Sequence, residues 1–227
     1  MDDRQRVIGN IRRRLGSDPT DPQPQAVVRR RLEAHRANTI PARAQGSLAE
    51  RVDLFERMLT NVQGSVARVP SPDSVPAAIL GYLQVAQADI CINGEVEAMD
   101  LPWHSEPGIH LVQWVARSSL GVSVTGCIGA AAETGTVVIA SSSQNPLTLN
   151  FLPERHIVIL PVEHIVGSYE EIWERVRARG GLPRDLTFVS GPSCTGDIEM
   201  VLEYGAHGPR ALHVILVGEP ADESRAP

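Results

Sequence analysis

GPSCTGDIEMVLEYGAHGPRALHVILV, residues 191–217, decides how this chain is read. A Gly-Pro turn opens it and a mixed charged and apolar run follows. HGPR (207–210) turns the chain again, and ALHVILV is a solid apolar strand. LTFVSG, 186–191, reads as a strand leading in. The pattern predicts strand, turn, helix, turn and strand, with the helix over DIEMVLEYG, 197–205, closed by Gly205.

The same alternation extends upstream. TVVIAS (136–141) and HIVILP (156–161) are buried-strand runs. SYEEIWERVRARGG (168–181) is a helix with Ser168 and Glu171 at capping-box spacing. SVARV (65–69) and ADICI (88–92) add strands, GVSV begins one at 121, and 71–84 reads as a helix. HLVQWVA (110–116) is apolar without a decisive period. Continuous Val/Ile/Leu strands between helices are the pattern of a sheet covered on both faces, so an α/β fold is expected. The domain opens at a second capping box, Ser47 with Glu50, after which Leu48, Val52, Phe55 and Leu59 share a helix face. Before it, residues 2–15 and 26–37 have helical spacing around the proline-rich break GSDPTDPQPQ, 16–25. The expectation is a helical arm over 1–45 and one α/β domain over 46–227.

Composition sets bounds on function. With 42% hydrophobic residues and only 4% aromatics, Val, Ile, Leu and Ala must carry the core. A net charge of -6 argues against general nucleic-acid binding, although arginines crowd the first 36 residues. The plainer reading of those arginines is solvated helix faces. Cys91, Cys127 and Cys194 show neither CxxC nor regular spacing, which excludes an iron–sulfur or zinc-ribbon framework carried by this chain alone. The odd cysteine count suits a reducing compartment. No signal-like apolar segment and no span of membrane length is visible, so a cytoplasmic protein without membrane insertion is expected.

Two stretches carry candidate chemistry. A loop at the carboxyl end of a strand, followed by a helix start, suits an anion, because free N–H groups and the positive dipole end point at it. Thr195 or Asp197 can cap such a helix. His207 is either a contact or a turn residue. In AAAETGTVVIAS, Glu133 is a lone carboxylate between alanines and Gly135. It reads as a base or nucleophile facing a cleft, or as an acceptor of backbone N–H bonds in a tight turn. Ser193, His207 and Asp197 have the residue types of a hydrolase triad but lack the GxSxG elbow. The remaining histidines have no metal-ligand spacing. Both GxGxxG and GxxxxGK[ST] are absent.

AETGTVVI (132–139), LPERHIVIL (152–160) and SGPSCTGDIEMVLEYGAHGPRALHVILV (190–217), in this order and spacing, resemble the lactate utilization protein C family, the LutC/YkgG group with an LUD domain. The resemblance covers about 47–218. It implies a three-layer α/β/α open sheet like the NagB/RpiA/CoA-transferase group. It also implies a part in oxidising L-lactate to pyruvate beside two iron–sulfur protein components, with no cofactor or metal of its own. The signature positions fall on Glu133, Thr134, Gly135 and Thr136, and on Gly191, Pro192, Ser193, Thr195, Asp197, Glu199, His207, Gly208 and Pro209. Of these, Glu133 is the candidate catalytic residue. The others, Glu199 and Pro209 apart, are candidate contacts for a small anionic ligand. The alternative is a stand-alone enzyme of the same fold, acting on a CoA thioester or a phosphorylated small molecule through Glu133. The chain departs from the family pattern at Cys127, at Gly196 in TGDIE, and at 145–150, where NPLTLNF carries no arginine.

Overall fold

The computed structural model describes residues 3–16, 22–112, 121–196 and 202–220. By contacts the chain divides into a unit of residues 1–39 and a unit of residues 40–227.

The first unit holds α1 (Asp3–Leu15) and α2 (Pro22–Ala34), neither with a buried residue. α2 begins inside the proline-rich break. Pro22 and Pro24 sit in its first turn, where the N–H they lack has no intrahelical partner to lose. Val7, Ile11, Leu15 and Leu32 are exposed, so the helical period of this segment is not that of a core face.

The second unit opens with α3 (Leu48–Asn61). The Ser47 N–H donates to Glu50 Oε2 at 2.8 Å and the Ser47 Oγ accepts the Glu50 N–H at 3.4 Å. There follow β1 (Ser65–Val69), α4 (Val75–Leu83), β2 (Ala88–Ile92), the short α5 (Gly94–Glu97) and β3 (Ile109–Val112). Next come β4 (Val122–Thr125), β5 (Gly129–Ala131), β6 (Thr136–Ala140), α6 (Thr148–Phe151) and β7 (Arg155–Pro161). The last elements are β8 (Ile165–Val166), α7 (Tyr169–Ala178), β9 (Leu186–Val189), β10 (Cys194–Gly196), β11 (Leu202–Tyr204) and β12 (Ala211–Val217).

The central sheet is six-stranded, in the order β1-β12-β7-β4-β2-β3, and every pairing in it is parallel. Its neighbouring inner strands β7 and β12 alternate faces. Val158 and Leu160 of β7, with Leu212, Val214 and Leu216 of β12, pack with Val52, Phe55 and Leu59 of α3. Ile157, Ile159, Ile215 and Val217 point the other way, into a cluster with Val75, Ile79 and Leu83 of α4. Each such side chain removed from water contributes about 1.5–3 kcal/mol. The chain is therefore an α/β protein with a parallel central sheet flanked by helices, as its alternating elements predict. No helix among the described residues is long and apolar enough to cross a membrane.

The sequence pattern does not announce a second sheet, β8-β5-β6-β9, in which β6 runs antiparallel to both β5 and β9. Its Ala130, Val137 and Ile139 join the cluster around α3. Ala131, Val138 and Ala140, with Ile128 just before β5, pack instead on Ile172 and Val176 of α7. TVVIA is a buried strand as expected, but it belongs to this smaller sheet.

Candidate functional site

The site is built by two turns that the sequence separates widely. The first is the ETGT turn between β5 and β6. Gly135 takes φ +63°, and a Cβ there would run into the Leu59 backbone of α3. The glycine thus serves both a left-handed turn and a close backbone approach. Glu133 sits in a short 3-10 turn and is only 6% exposed. Its N–H donates to Gly167 O at 3.0 Å, and its Oε1 accepts the N–H of Tyr169 at 3.0 Å. Tyr169 is the first residue of α7, so the carboxylate satisfies a free helix N–H at the positive end of the dipole. This corrects the expectation of a Glu133 that faces a cleft. The acceptor reading of that carboxylate describes its geometry.

Beside Glu133, hydroxyls form a cluster. Thr136 Oγ1 lies 2.6 Å from Thr134 Oγ1, 2.8 Å from Tyr169 Oη and 2.6 Å from Ser190 Oγ. Thr134 Oγ1 also donates to Tyr169 Oη at 2.9 Å. Ser190 follows β9 and starts the second turn.

In that second turn the expected helix over 197–205 is replaced, where the chain is described, by a strand. β11 pairs antiparallel with β10, with Cys194 opposite Tyr204, Thr195 opposite Glu203 and Gly196 opposite Leu202. The Ser193 backbone fixes this arrangement. Its N–H donates to Pro209 O at 2.9 Å, and its carbonyl accepts the Gly205 N–H at 3.0 Å. Ser193 Oγ accepts the His207 N–H at 3.3 Å. Leu202, 58% exposed, has no core to face, so the apolar period that suggested a helix buys nothing here. Asp197 and Glu199 lie outside the described residues. The hairpin folds the HGP turn back onto the GPS turn, which an intervening helix would have carried away from it.

Between them lies a cavity of about 370 Å³. Gly191, Pro192, Ser193, Thr195, His207, Gly208 and Pro209 all line it. The lining does not include Glu133, Thr134, Gly135 or Thr136, which stand behind it through the Thr136–Ser190 bond. The cavity is also not at the carboxyl edge of the central sheet. Its floor includes His156 and Leu212, the second residues of β7 and β12, so it opens at the amino ends of those strands.

Two residues here were not singled out by the sequence reading. Asn150, in α6, is 2% exposed, and neither its amide nitrogen nor its amide oxygen has a hydrogen-bond partner. His156 is 1% exposed. Its Nε2 lies 2.8 Å from Thr125 Oγ1, while its Nδ1 is unpartnered. Burial pushes the His156 pKa down to about 4, so the ring is neutral at physiological pH. Only one sequence signal pointed to them: a polar side chain inside an apolar run, as in LTLNF and RHIVIL. Among the described residues, the lining holds no Lys, Arg, Asp or Glu. Among the described residues this turn is flanked by the paired strands β10 and β11 and no Lys or Arg side chain lines the cavity, so neither feature supports the expected small anion. Phe151, Phe188, Val189 and Leu212 supply apolar wall.

Known proteins resemble this chain over the same region. Residues 116–217, which include every residue lining the cavity, match the LUD domain family. The chain is 42% identical over 96 residues to a lactate utilization protein C from Deinococcus radiodurans, covering 42% of this chain and 45% of that one. It is 31% identical over 119 residues to a lactate utilization protein C from Geobacillus thermodenitrificans, covering 51% of this chain and 49% of that one. These matches span about half the length of the curated relatives. The crystal structure of a DUF162 family protein from Deinococcus radiodurans superimposes with a TM-score of 0.58 at 26% identity, over 77% of this chain and all of that one.

Proposed function

With an LUD domain in a chain similar to lactate utilization protein C as the premise, we propose that this protein is the component without an iron–sulfur cluster in an L-lactate oxidation system. Its contribution is to bind a small ligand in the cavity at the amino ends of β7 and β12 and to work beside iron–sulfur partner proteins. The observation that carries the reading is the identity of the cavity walls. The GPSCT and HGP motifs that underlie the family resemblance line one cavity with Asn150, whose side-chain amide is buried without a partner, and with His156, whose Nδ1 alone lacks one. Buried polar groups without partners cost stability, and they persist where function needs them.

The stand-alone enzyme reading rested on Glu133 as nucleophile or base. Its carboxylate is buried and occupied by the Tyr169 N–H, so the proposal gives it no chemical step.

The test is growth. Deleting the gene should abolish growth on L-lactate as sole carbon source and leave growth on pyruvate intact, with the full-length gene restoring the former. Full growth of the deletion strain on L-lactate overturns the proposal.

A further inference from the structure

A second cavity opens at the other edge of the central sheet. It has a volume of about 240 Å³ and, among the described residues, shares no lining residue with the cavity already described. Four segment ends build it. Glu95 follows the carboxyl end of β2, and Ile128 follows that of the neighbouring strand β4. Ser141 and Ser142 follow β6, and Arg179 closes α7. The carboxyl ends of parallel strands are where open α/β sheets hold their ligands.

The lining carries two opposite charges that do not meet. Glu95 is half-buried and Arg179 is exposed, so neither is sealed away from an occupant. Among the described residues, neither side chain makes an ion pair or a hydrogen bond. A Cβ on Gly126 would come within 3.4 Å of Glu95 Oε2, which sets the carboxylate against the end of β4. Burial pushes the Glu95 pKa up, and the Arg179 charge offsets only part of that effect. A desolvated carboxylate without a partner is disfavoured, and a cation brought beside it relieves the penalty.

The serines add donors. Ser141 Oγ accepts the Asp185 N–H at 2.9 Å, and Ser142 Oγ accepts the Gln144 N–H at 3.2 Å. Each hydroxyl keeps its own proton to give. Arg179 and the two hydroxyls therefore suit a carboxylate, while Glu95 suits an ammonium group. Ile128, Val176 and Leu182 supply apolar wall. Leu182 is 73% exposed, so an aliphatic group seated on it removes apolar surface of both from water. The volume lies below the roughly 300–1,000 Å³ of pockets for drug-sized ligands, so the occupant is small.

We propose that this cavity binds a small aliphatic α-amino acid as its zwitterion, with the ammonium paired to Glu95 and the carboxylate held by Arg179, Ser141 and Ser142. The site is separate from the one assigned to lactate oxidation above and does not depend on that reading.

The experiment is calorimetric titration of the full chain with L-alanine, L-valine and L-leucine. For each amino acid, the matched acid without the ammonium and the matched amine without the carboxylate serve as controls (4-methylpentanoate and isoamylamine in the case of leucine). L-Lactate, the hydroxyl counterpart of L-alanine, is a further control. At least one amino acid should bind, and its two counterparts should bind tenfold or more weakly. Glu95→Gln and Arg179→Gln should each weaken that binding tenfold or more, and Arg179→Lys, which keeps the charge, should recover part of it. Unfolding midpoints show that the variants fold. Arg179 is exposed, so the Arg179 pair decides the matter even if Glu95→Gln does not fold. Failure of all three amino acids to bind overturns the proposal. So does an acid counterpart, or L-lactate, that binds as tightly as the amino acid. Unchanged binding to Arg179→Gln places the amino acid elsewhere and overturns the site.

Discussion

Thr136 Oγ1 and Ser190 Oγ lie 2.6 Å apart although 54 residues separate them in the chain. That contact joins the ETGT turn to the loop that rims the cavity. The two turns also share a support, because each places a glycine against the end of α3: Gly135 against Leu59 and Gly191 against Val62. One helix end therefore fixes the height of both motifs.

Gly135→Ala and Gly191→Ala should each destabilise the fold by at least about 2 kcal/mol, through steric overlap added to an unfavourable positive φ. At Gly191 a Cβ would come within 2.5 Å of Val62 O, at φ +87°. Gly81, inside α4 with open space around it, is the control, and Gly81→Ala should stabilise by roughly 0.5–1 kcal/mol. Urea unfolding of the three variants checks the order.

Glu133→Gln should leave an oxygen able to accept the Tyr169 N–H and lose only the charge–dipole part, about 0.3–1 kcal/mol. Glu133→Ala leaves that N–H without its partner and should cost about 1–3 kcal/mol. Growth on L-lactate should survive the Gln substitution. A folded Glu133→Gln protein that fails to support growth would return the residue to a chemical role.

Stability should fall as the medium is acidified from neutrality. His156 and His213 both have pKa values pushed by burial from 6.5 to about 4. Between those values the unfolded chain takes up the protons and the folded chain does not. The stabilisation is complete above about pH 6.5 and is lost progressively as pH drops toward 4. A shift of this size in His156 corresponds to about 3 kcal/mol at its limit. His156→Gln should flatten the dependence of the denaturation midpoint between pH 6.5 and 4.5. An unchanged slope would mean that the ring is not held neutral.

Thiol alkylation of the native protein should modify Cys194 first. Cys194 is exposed, Cys91 is buried, and the Cys127 thiol is pushed up to about 12 by burial. Peptide mass analysis after brief iodoacetamide treatment should find the adduct on Cys194, and dominant labelling of Cys127 would contradict the packing around β5.

What the sequence reveals of this molecule follows the range of the forces involved. Strands such as HIVILP and ALHVILV are legible because burial on both faces demands uninterrupted apolar residues, and the capping boxes because Ser47–Glu50 and Ser168–Glu171 act within one helical turn. The segment 202–204 is illegible for the opposite reason. Its local pattern favours a helix, but the Ser193 backbone claims Gly205 and Pro209 as partners and sets a hairpin. The GPSCT and HGP motifs could be quoted but not assembled, since their meeting depends on that hairpin. Asn150 and His156 went unnoticed because their significance is a missing partner, which exists only in three dimensions.

The place of β12 in the sheet has a consequence for biosynthesis. It lies between β1 and β7 and pairs with both, so, among the described residues, 65–69 find their sheet neighbour at 213–217 alone. While the ribosome is still making the chain, the apolar faces of α3 and α4 have no completed sheet to cover. The sheet closes only when residue 217 has left the exit tunnel, after contacts of high sequence separation form. A nascent chain stalled before ALHVILV should therefore be held by chaperones in a form that cannot bind ligand, and release of that last strand should complete both the core and the cavity floor at Leu212.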